Sequence, residues 1–258
     1  ENDEIIATDL GSTNGTTVIP KNAVKPFYGD LSKLHLKQGN IGDCYLLSAI
    51  YGLSKNPRGR EILQNMVKID DDGNYIVKFH CEAPIKVALE ELDGQTNKLG
   101  IQKRSVSGDL GIKAIERAYG KLLKQAAIEK FNNINSNYTL HYKLDDGGNP
   151  LKALNILSGI NGIQHATSLG SMNGVLYEIA QSGTENHILM CSTPKHSPFG
   201  DYMDPYQRFI NNHAYGISYI DIPSRTVGII NPHNTKKVDP ISWDEFNQYF
   251  DYLYDAKA

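Results

Sequence analysis

A buried helix that begins at a cysteine constrains the fold of this chain more than any other segment. The run Tyr45-Leu-Leu-Ser-Ala-Ile-Tyr-Gly-Leu53 is apolar around most of the circumference of a helix, so the protein interior must enclose it. Cys44 stands at the first turn, between glycine-rich residues and this run, and Gln38 precedes it. The positive end of a helix dipole favours the thiolate form of a cysteine. The segment therefore predicts a nucleophilic sulfur at the start of a buried helix.

Two later segments carry candidate partners for this sulfur. His213 opens a run of alternating side chains that is typical of a strand, and Asn231 ends a second apolar strand just before a proline. If these strands are antiparallel neighbours, the Asn231 oxygen can hold one ring nitrogen of His213 and leave the other for the thiol. The Gln38 amide can donate to the oxyanion of an attacked carbonyl. The predicted catalytic set for acyl transfer is Cys44, His213, Asn231 and Gln38.

Each of these assignments has a rival. His187 and His196 are the alternative bases, and Asn234 is the alternative to Asn231, which would then be an ordinary turn residue before proline. Asp43 is expected to bond amides of the preceding loop rather than to take part in the chemistry.

These residues resemble the motifs of the calpain family of cysteine proteases, within the papain-like group. The similarity comprises Gln38-Gly-x-x-Gly-Asp-Cys44, an aromatic and Leu-Leu-Ser-Ala-Ile, then His213-Ala-Tyr and Asn231-Pro in the same order. The run Gly108–Leu122 is similar to the second core helix of that family. Gly147-Gly148, before a short helix, resembles its glycine pair. The similarity extends over roughly residues 25 to 250.

The resemblance implies a papain-like two-lobe fold of the α+β class. Helical segments come first and strand-like segments follow, which also favours α+β. We expect a helical lobe with the cysteine in residues 1–148 and a lobe of antiparallel sheet with the histidine and asparagine in residues 149–258. The implied activity is a cysteine endopeptidase acting on protein or peptide substrates in the cleft. The expected substrate contacts are Gly147, Gly148 and Asn212.

Two aromatic positions depart from the family. Tyr45 and His233 stand where the family usually has tryptophan, so the His213–Asn231 pair is expected to be more solvated than in animal calpains. The same departure motivates a second hypothesis, a binding domain with weak catalysis. A third keeps the catalytic set but makes the chain a deamidase or transglutaminase of protein glutamine side chains.

Calcium is the one cofactor that the resemblance suggests, and the chemistry itself requires none. The turn Asp70–Asp72 and the carboxylates Asp201 and Asp204 lack the spacing of calcium ligands. The sequence therefore assigns no metal ligands, and we expect the activity to depend weakly or not at all on calcium.

The composition of the chain limits the kinds of molecule that it is expected to bind. The chain has 258 residues, is 40% hydrophobic and 21% charged, and has a formal net charge of -3, which is an ordinary globular composition. Nothing in this balance favours nucleic acid or an anionic membrane, and no signal-like segment or membrane span is visible. We expect a monomer or a domain of a larger protein, and the compartment, cytoplasmic or secreted, stays open.

The remaining patterns predict local structure. Cys81 and Cys191 are interpreted as small core residues. A helix is predicted over 110–131 and a hairpin over 67–69 and 75–81, closed by a turn at Asp70–Asn74. Further strands are predicted over 163–168, 174–179, 187–192, 213–222 and 226–231.

Overall fold

Helices and antiparallel sheets make up the structure, so the predicted α+β class is confirmed. The coordinates are a computed structural model of the chain. They describe residues 5–8, 17–20, 25–27, 29–39, 41–92, 109–132, 147–170, 172–197 and 200–258. The side chains of 5–8, 17–20, 127–132 and 169 are not part of the description.

The described residues form seven α-helices. They are α1 (Cys44–Lys55), α2 (Pro57–Met66), α3 (Leu89–Leu92), α4 (Leu110–Asn132), α5 (Pro150–Ser158), α6 (Met172–Ser182) and α7 (Trp243–Tyr249). None of the described helices is both long enough and apolar enough to cross a membrane.

The strands of the described residues form three separate antiparallel sheets. A two-stranded sheet pairs β1 (Ile5–Thr8) with β2 (Thr17–Pro20), and a three-stranded sheet contains β3 (Val67–Ile69), β4 (Tyr75–Val77) and β5 (Ile85–Val87). The strands of the third sheet are β6 (Ile163–Ala166), β7 (His187–Ser192), β8 (Ala214–Asp221), β9 (Thr226–Ile230), β10 (Val238–Ser242) and β11 (Tyr252–Lys257). Its spatial order is β10-β9-β8-β7-β11-β6, so the last strand of the chain lies between β7 and β6.

Helix α1 lies at the centre of the molecule. All its residues from Cys44 to Ser54 are buried, as the apolar run predicts. It packs against α2 and α5 and also against β7 and β8 of the large sheet. Gly216 of β8 permits this approach, since a Cβ there would lie 2.5 Å from the ring of Tyr51. The nucleophile helix is thereby fixed directly against the strand that follows His213.

Most of the local predictions are confirmed. Helix α4 begins after Asp109, whose carboxylate accepts a hydrogen bond from Gly111 N at 2.9 Å. The β3–β4 hairpin closes at Asp70–Asn74, and β7, β8 and β9 lie within a residue of their predicted bounds. Each of these elements carries its own cap, turn or alternating pattern, and such signals act over a few residues.

Two local predictions are wrong. The pattern of residues 174–179 predicts a strand, but the segment lies in α6. The buried residues of that helix, Met172, Leu176 and Ile179, have helical spacing, which the alternating Val175-Leu-Tyr-Glu-Ile pattern conceals. Cys81 is exposed rather than in the core, because the strand ends at Val77 and Cys81 lies in a turn with φ of 57°. Cys191 is buried, as expected.

The proposed boundary between 148 and 149 stays a prediction. The structure adds that α5, just after that boundary, packs against α1, and its buried residues join the same apolar cluster. A second apolar cluster lies between the large sheet and helices α6 and α7.

Candidate active site

The Cys44 sulfur lies at the junction of α1 and the large sheet. The side chain is 9% exposed and occupies the first position of α1. The backbone N–H of Ala214 donates to Cys44 Sγ at 3.4 Å. Because Ala214 directly follows His213 in the chain, this hydrogen bond brings the cysteine and histidine segments together. A backbone donor and a helix N-terminus both favour negative charge on sulfur.

The imidazole of His213 is held by Asn231. His213 Nε2 lies 3.1 Å from Asn231 Oδ1, which joins the residue before β8 to the residue after β9. If Nε2 carries the proton that Asn231 accepts, Nδ1 is the nitrogen left to take a proton. His213 is 7% exposed, and its ring meets the edge of Tyr215 at a centroid distance of 4.7 Å. The structure thus brings these two predicted residues together through neighbouring antiparallel strands.

The backbone of His213 is fixed by Thr193, a residue that sequence reasoning missed. His213 N donates to Thr193 Oγ1 at 3.1 Å, and Thr193 N donates to His213 O at 3.0 Å. Thr193 Oγ1 also donates to Ile210 O at 2.7 Å. No sequence motif marks Thr193, since its partners come from the far end of a long loop.

Gln38 is connected to the Asn231 turn through its main chain. Gln38 N donates to Pro232 O at 2.8 Å. Nearby, Thr235 N donates to Leu36 O at 3.1 Å, and Leu36 N donates to the Thr235 hydroxyl oxygen at 2.6 Å. The Gln38 amide nitrogen donates to Ile41 O at 2.7 Å. The same amide also acts on the carboxyl group of Asp43, whose pKa it lowers. The main chain of Gln38 is therefore held by the turn after Asn231, and its side chain is held by the loop before Cys44.

Burial disfavours charge on both the thiol and the imidazole. It raises the pKa of Cys44 to about 11, although the Ala214 N–H lowers it. It lowers the pKa of His213 to about 4, with Asn231 acting to raise it and His233 to lower it. Each group alone favours its neutral form, so a thiolate requires proton transfer from Cys44 to His213.

Two buried carboxyl groups lie behind the nucleophile. Asp43, the residue before α1, is 0% exposed and faces Glu116 of α4, which is 3% exposed. The expectation that Asp43 bonds amides of the preceding loop stays a prediction, and the Gln38 amide of that loop acts on its carboxyl group. Burial and the Glu116 carboxyl hold the pKa of Asp43 well above its usual range, although the Gln38 amide lowers it. Asp43 therefore keeps its proton to higher pH than usual, which limits the negative charge that acts to raise the pKa of Cys44.

This arrangement predicts that Asp43→Asn stabilises the protein at neutral pH. The unfolded Asp43 ionises near pH 4, whereas the folded carboxyl keeps its proton to higher pH. Between these two pKa values the wild-type protein loses stability as pH rises, and the neutral amide does not. Chemical denaturation at a series of pH values should show an advantage for the variant that grows above about pH 4. Asp71, which is exposed, provides the matched control Asp71→Asn. Equal pH dependence in all three proteins would refute the raised pKa of Asp43.

The glycine pair lies next to the nucleophile helix. A Cβ on Gly148 would lie 2.6 Å from the ring of Tyr45, the residue after Cys44, so only glycine lets the chain approach this closely. Gly147 has φ of 77°, and a Cβ there would meet nothing within 4 Å. Both glycines are exposed, as is Asn212, the residue before His213. The substrate contacts of all three stay predictions.

The rival residues have other roles or positions. The His187 ring lies 2.7 Å from Ser182 Oγ and 2.5 Å from Asp255 Oδ1, in a buried network that joins α6 to β11. His196 is exposed on the loop before Asn211. Asn234 Oδ1 accepts from Lys236 N at 3.2 Å and stabilises the turn after Asn231.

The described residues do not fit a calcium site. They contain no group of three or more acidic, histidine or cysteine side chains able to hold a metal ion. Asp70 accepts hydrogen bonds from its own turn and pairs with Lys86 Nζ at 2.9 Å. Asp204 pairs with Arg208 at 2.6 Å. Asp70 and Asp204 are therefore already paired with cations of the chain.

Comparison with models of protein families found a match that covers most of the chain. Residues 17–238 match the family described as calpain family cysteine protease. A comparison with curated proteins found no match. The matched residues include the segment around Cys44, strands β8 and β9 with His213 and Asn231, and the glycine pair.

Proposed function

The chain belongs to the calpain family of cysteine proteases, and from this premise we propose that it is an endopeptidase with Cys44 as nucleophile. One observation carries the proposal: the Ala214 N–H is bonded to Cys44 Sγ while the adjacent His213 is bonded to Asn231. A nucleophile, a base and a residue that orients the base are the parts that covalent acyl transfer needs. We propose the papain-like two-lobe division for the same chain, with the cleft between the lobes.

The proposed reaction begins with proton transfer from the Cys44 thiol to His213. The thiolate attacks the carbonyl carbon of the scissile peptide bond, and the oxyanion accepts hydrogen bonds from the Gln38 amide and the Cys44 N–H. His213 then gives its proton to the leaving amine, which departs as the new amino terminus. In the second half, His213 takes a proton from water, the hydroxide attacks the thioester, and the carboxylic acid product leaves Cys44.

An extended substrate backbone lies against the glycine pair in this proposal. Gly147 and Gly148 are exposed and lack side chains that would block a peptide, and Tyr45 fixes Gly148 beside the nucleophile. Asn212 is exposed next to the base, where its side chain can meet a polar group of the peptide. Backbone recognition of this type suits protein substrates of varied sequence.

The proposed oxyanion role of Gln38 predicts a partial loss of activity when its side chain is removed. Gln38→Ala should lower kcat by about 10²- to 10³-fold with a smaller change in KM, because the lost donor acts mainly on the developing negative charge. The exposed Gln181→Ala on α6 is the matched control and should keep full activity. Steady-state kinetics on a fluorogenic peptide measures both. A Gln38→Ala enzyme with unchanged kcat would remove Gln38 from the mechanism.

The direct test is cleavage of an unfolded proteome by the purified chain. Mass spectrometry of the new amino termini should reveal internal cleavage with the wild-type chain and none with Cys44→Ala. Parallel reactions with added calcium and with a chelator measure the calcium requirement, for which we propose a weak effect or none. Glutamine side chains gaining about 1 Da without new termini would assign a deamidase instead. If neither new termini nor deamidated glutamines form, the chain would be assigned as a binding domain with weak catalysis.

A further inference from the structure

His233 lies flat against the catalytic imidazole. The rings of His213 and His233 are stacked, with centroids 5.2 Å apart and planes inclined by 5°. Tyr215 meets the His213 ring edge-on at 81°, so His213 has an aromatic neighbour on its edge and an imidazole on its face. These two rings account for the burial of His213. The expectation that the His213–Asn231 pair is more solvated than in animal calpains stays a prediction. His233 itself is partly exposed to solvent.

The position of His233 is fixed by three contacts with the catalytic set. Its backbone N–H donates to Asn231 Oδ1 at 3.0 Å, the oxygen that also binds His213 Nε2. The backbone carbonyl of Gln38 lies close enough to its ring to act to raise the pKa of His233. The stack on His213 is the third contact. The His233 side chain thus lies against His213 and the main chain of Gln38, and its backbone N–H contacts Asn231.

We propose that His233 is a positioning residue and an acid-sensitive cover: uncharged, it holds His213 and the Gln38 segment in place, and protonated, it opposes the imidazolium on which catalysis depends. This inference rests on the proposed function, because it assigns His233 a role in that same mechanism. A tryptophan or phenylalanine in this place would cover His213 equally but could not take up a proton.

The charges around His233 support this role. From the strand side it faces His213 and, beyond it, Tyr215; the Gln38 segment presents a backbone carbonyl, and its own turn presents Asn231 and Pro232. Burial lowers the pKa of His233, and the Gln38 carbonyl acts to raise it. No carboxylate among the described residues contributes to that pKa. The ring is therefore neutral at pH 7, and its proton arrives only in acid.

The size of the effect follows from the separation of the rings. Two positive charges about 5 Å apart at a partly exposed site should displace each other's titration by on the order of one pH unit. As pH falls through the lowered pKa of His233, the charged ring should disfavour the His213 imidazolium and so reduce kcat/KM. The two histidines should titrate as a coupled pair.

Two variants separate charge from shape. His233→Gln keeps a donor for the Gln38 carbonyl and removes the charge, and His233→Phe keeps the stack and removes both. In each, the acid limb of kcat/KM should move to lower pH by on the order of one unit. The exposed His80→Phe is the matched control and should leave the limb in place. Thermal unfolding confirms that each variant is folded.

A second readout does not require peptidase activity. In the Cys44→Ala background, NMR titration of the His213 ring should give a midpoint that rises by on the order of one unit when His233→Gln is added. It should also change from a two-step to a single-step curve. An unchanged His213 titration would overturn the proposal even if the chain is a peptidase. A shifted titration in a chain without peptidase activity would uphold the coupling and refute the proposed function.

Discussion

Cys44→Ala should lower peptide hydrolysis by about 10⁴-fold or more, because the covalent route is lost with the sulfur. The sulfur is the group at the first turn of α1 that receives the Ala214 N–H. Alanine should be tolerated there, since it preserves the helix and removes a single buried atom. Active-site kinetics on a fluorogenic peptide, together with thermal unfolding, separates lost chemistry from lost structure.

The chain offers a matched control for the cysteine. Cys81 is also a free thiol, but it is exposed on a turn after β4. Cys81→Ala should retain full activity and full sensitivity to thiol reagents. Activity that survives in Cys44→Ala, or disappears in Cys81→Ala, would contradict the assignment of the nucleophile.

His213→Gln should lower kcat/KM by about 10³-fold or more, because glutamine can accept no proton from the thiol. The variant keeps a polar side chain beside Asn231, so the loss should be chemical rather than structural. The same peptide assay measures it, and stability should change little by comparison. His196→Gln, on an exposed loop, is the control and also tests the rival base. A larger loss in His196→Gln than in His213→Gln would overturn the assignment.

The sequence predicted those parts of the site that depend on local pattern. The apolar run after Cys44 predicted α1, and the alternation after His213 predicted β8, because burial imposes a fixed period on a helix or a strand. The pairing of β8 with β9 then placed Asn231 beside His213, as two antiparallel neighbours must. Family resemblance supplied the order of these residues along the chain.

The supports of the site could not be predicted, since they depend on contacts between distant segments. Gln38 is fixed by the carbonyl of Pro232, and His213 by the hydroxyl of Thr193. A main-chain carbonyl or a single threonine carries no pattern that a sequence could reveal. The stacked ring of His233 is similar: the residue was noted as a departure, but only the structure places it on His213.

The strand predicted over residues 174–179, within α6, is wrong for a different reason. Val175 and its neighbours have high strand propensity and alternate in polarity, whereas the packing of Leu176 and Ile179 against the large sheet selects the helix. Tertiary burial outweighs local propensity where the two disagree. Cys81 was misplaced because the strand before it ends several residues earlier than its apolar pattern suggests.

The central claim is that Cys44 is activated by His213, and the pH dependence of Cys44 alkylation by iodoacetamide tests it most directly. A Cys81→Ala background removes the exposed thiol, and mass spectrometry follows modification of Cys44. With His213 present, the rate should already be high near neutral pH, because the imidazolium stabilises the thiolate. In His213→Gln, it should stay low and rise only as pH approaches the pKa of the buried thiol, about 11. Superimposable rate profiles for the two proteins would contradict the account.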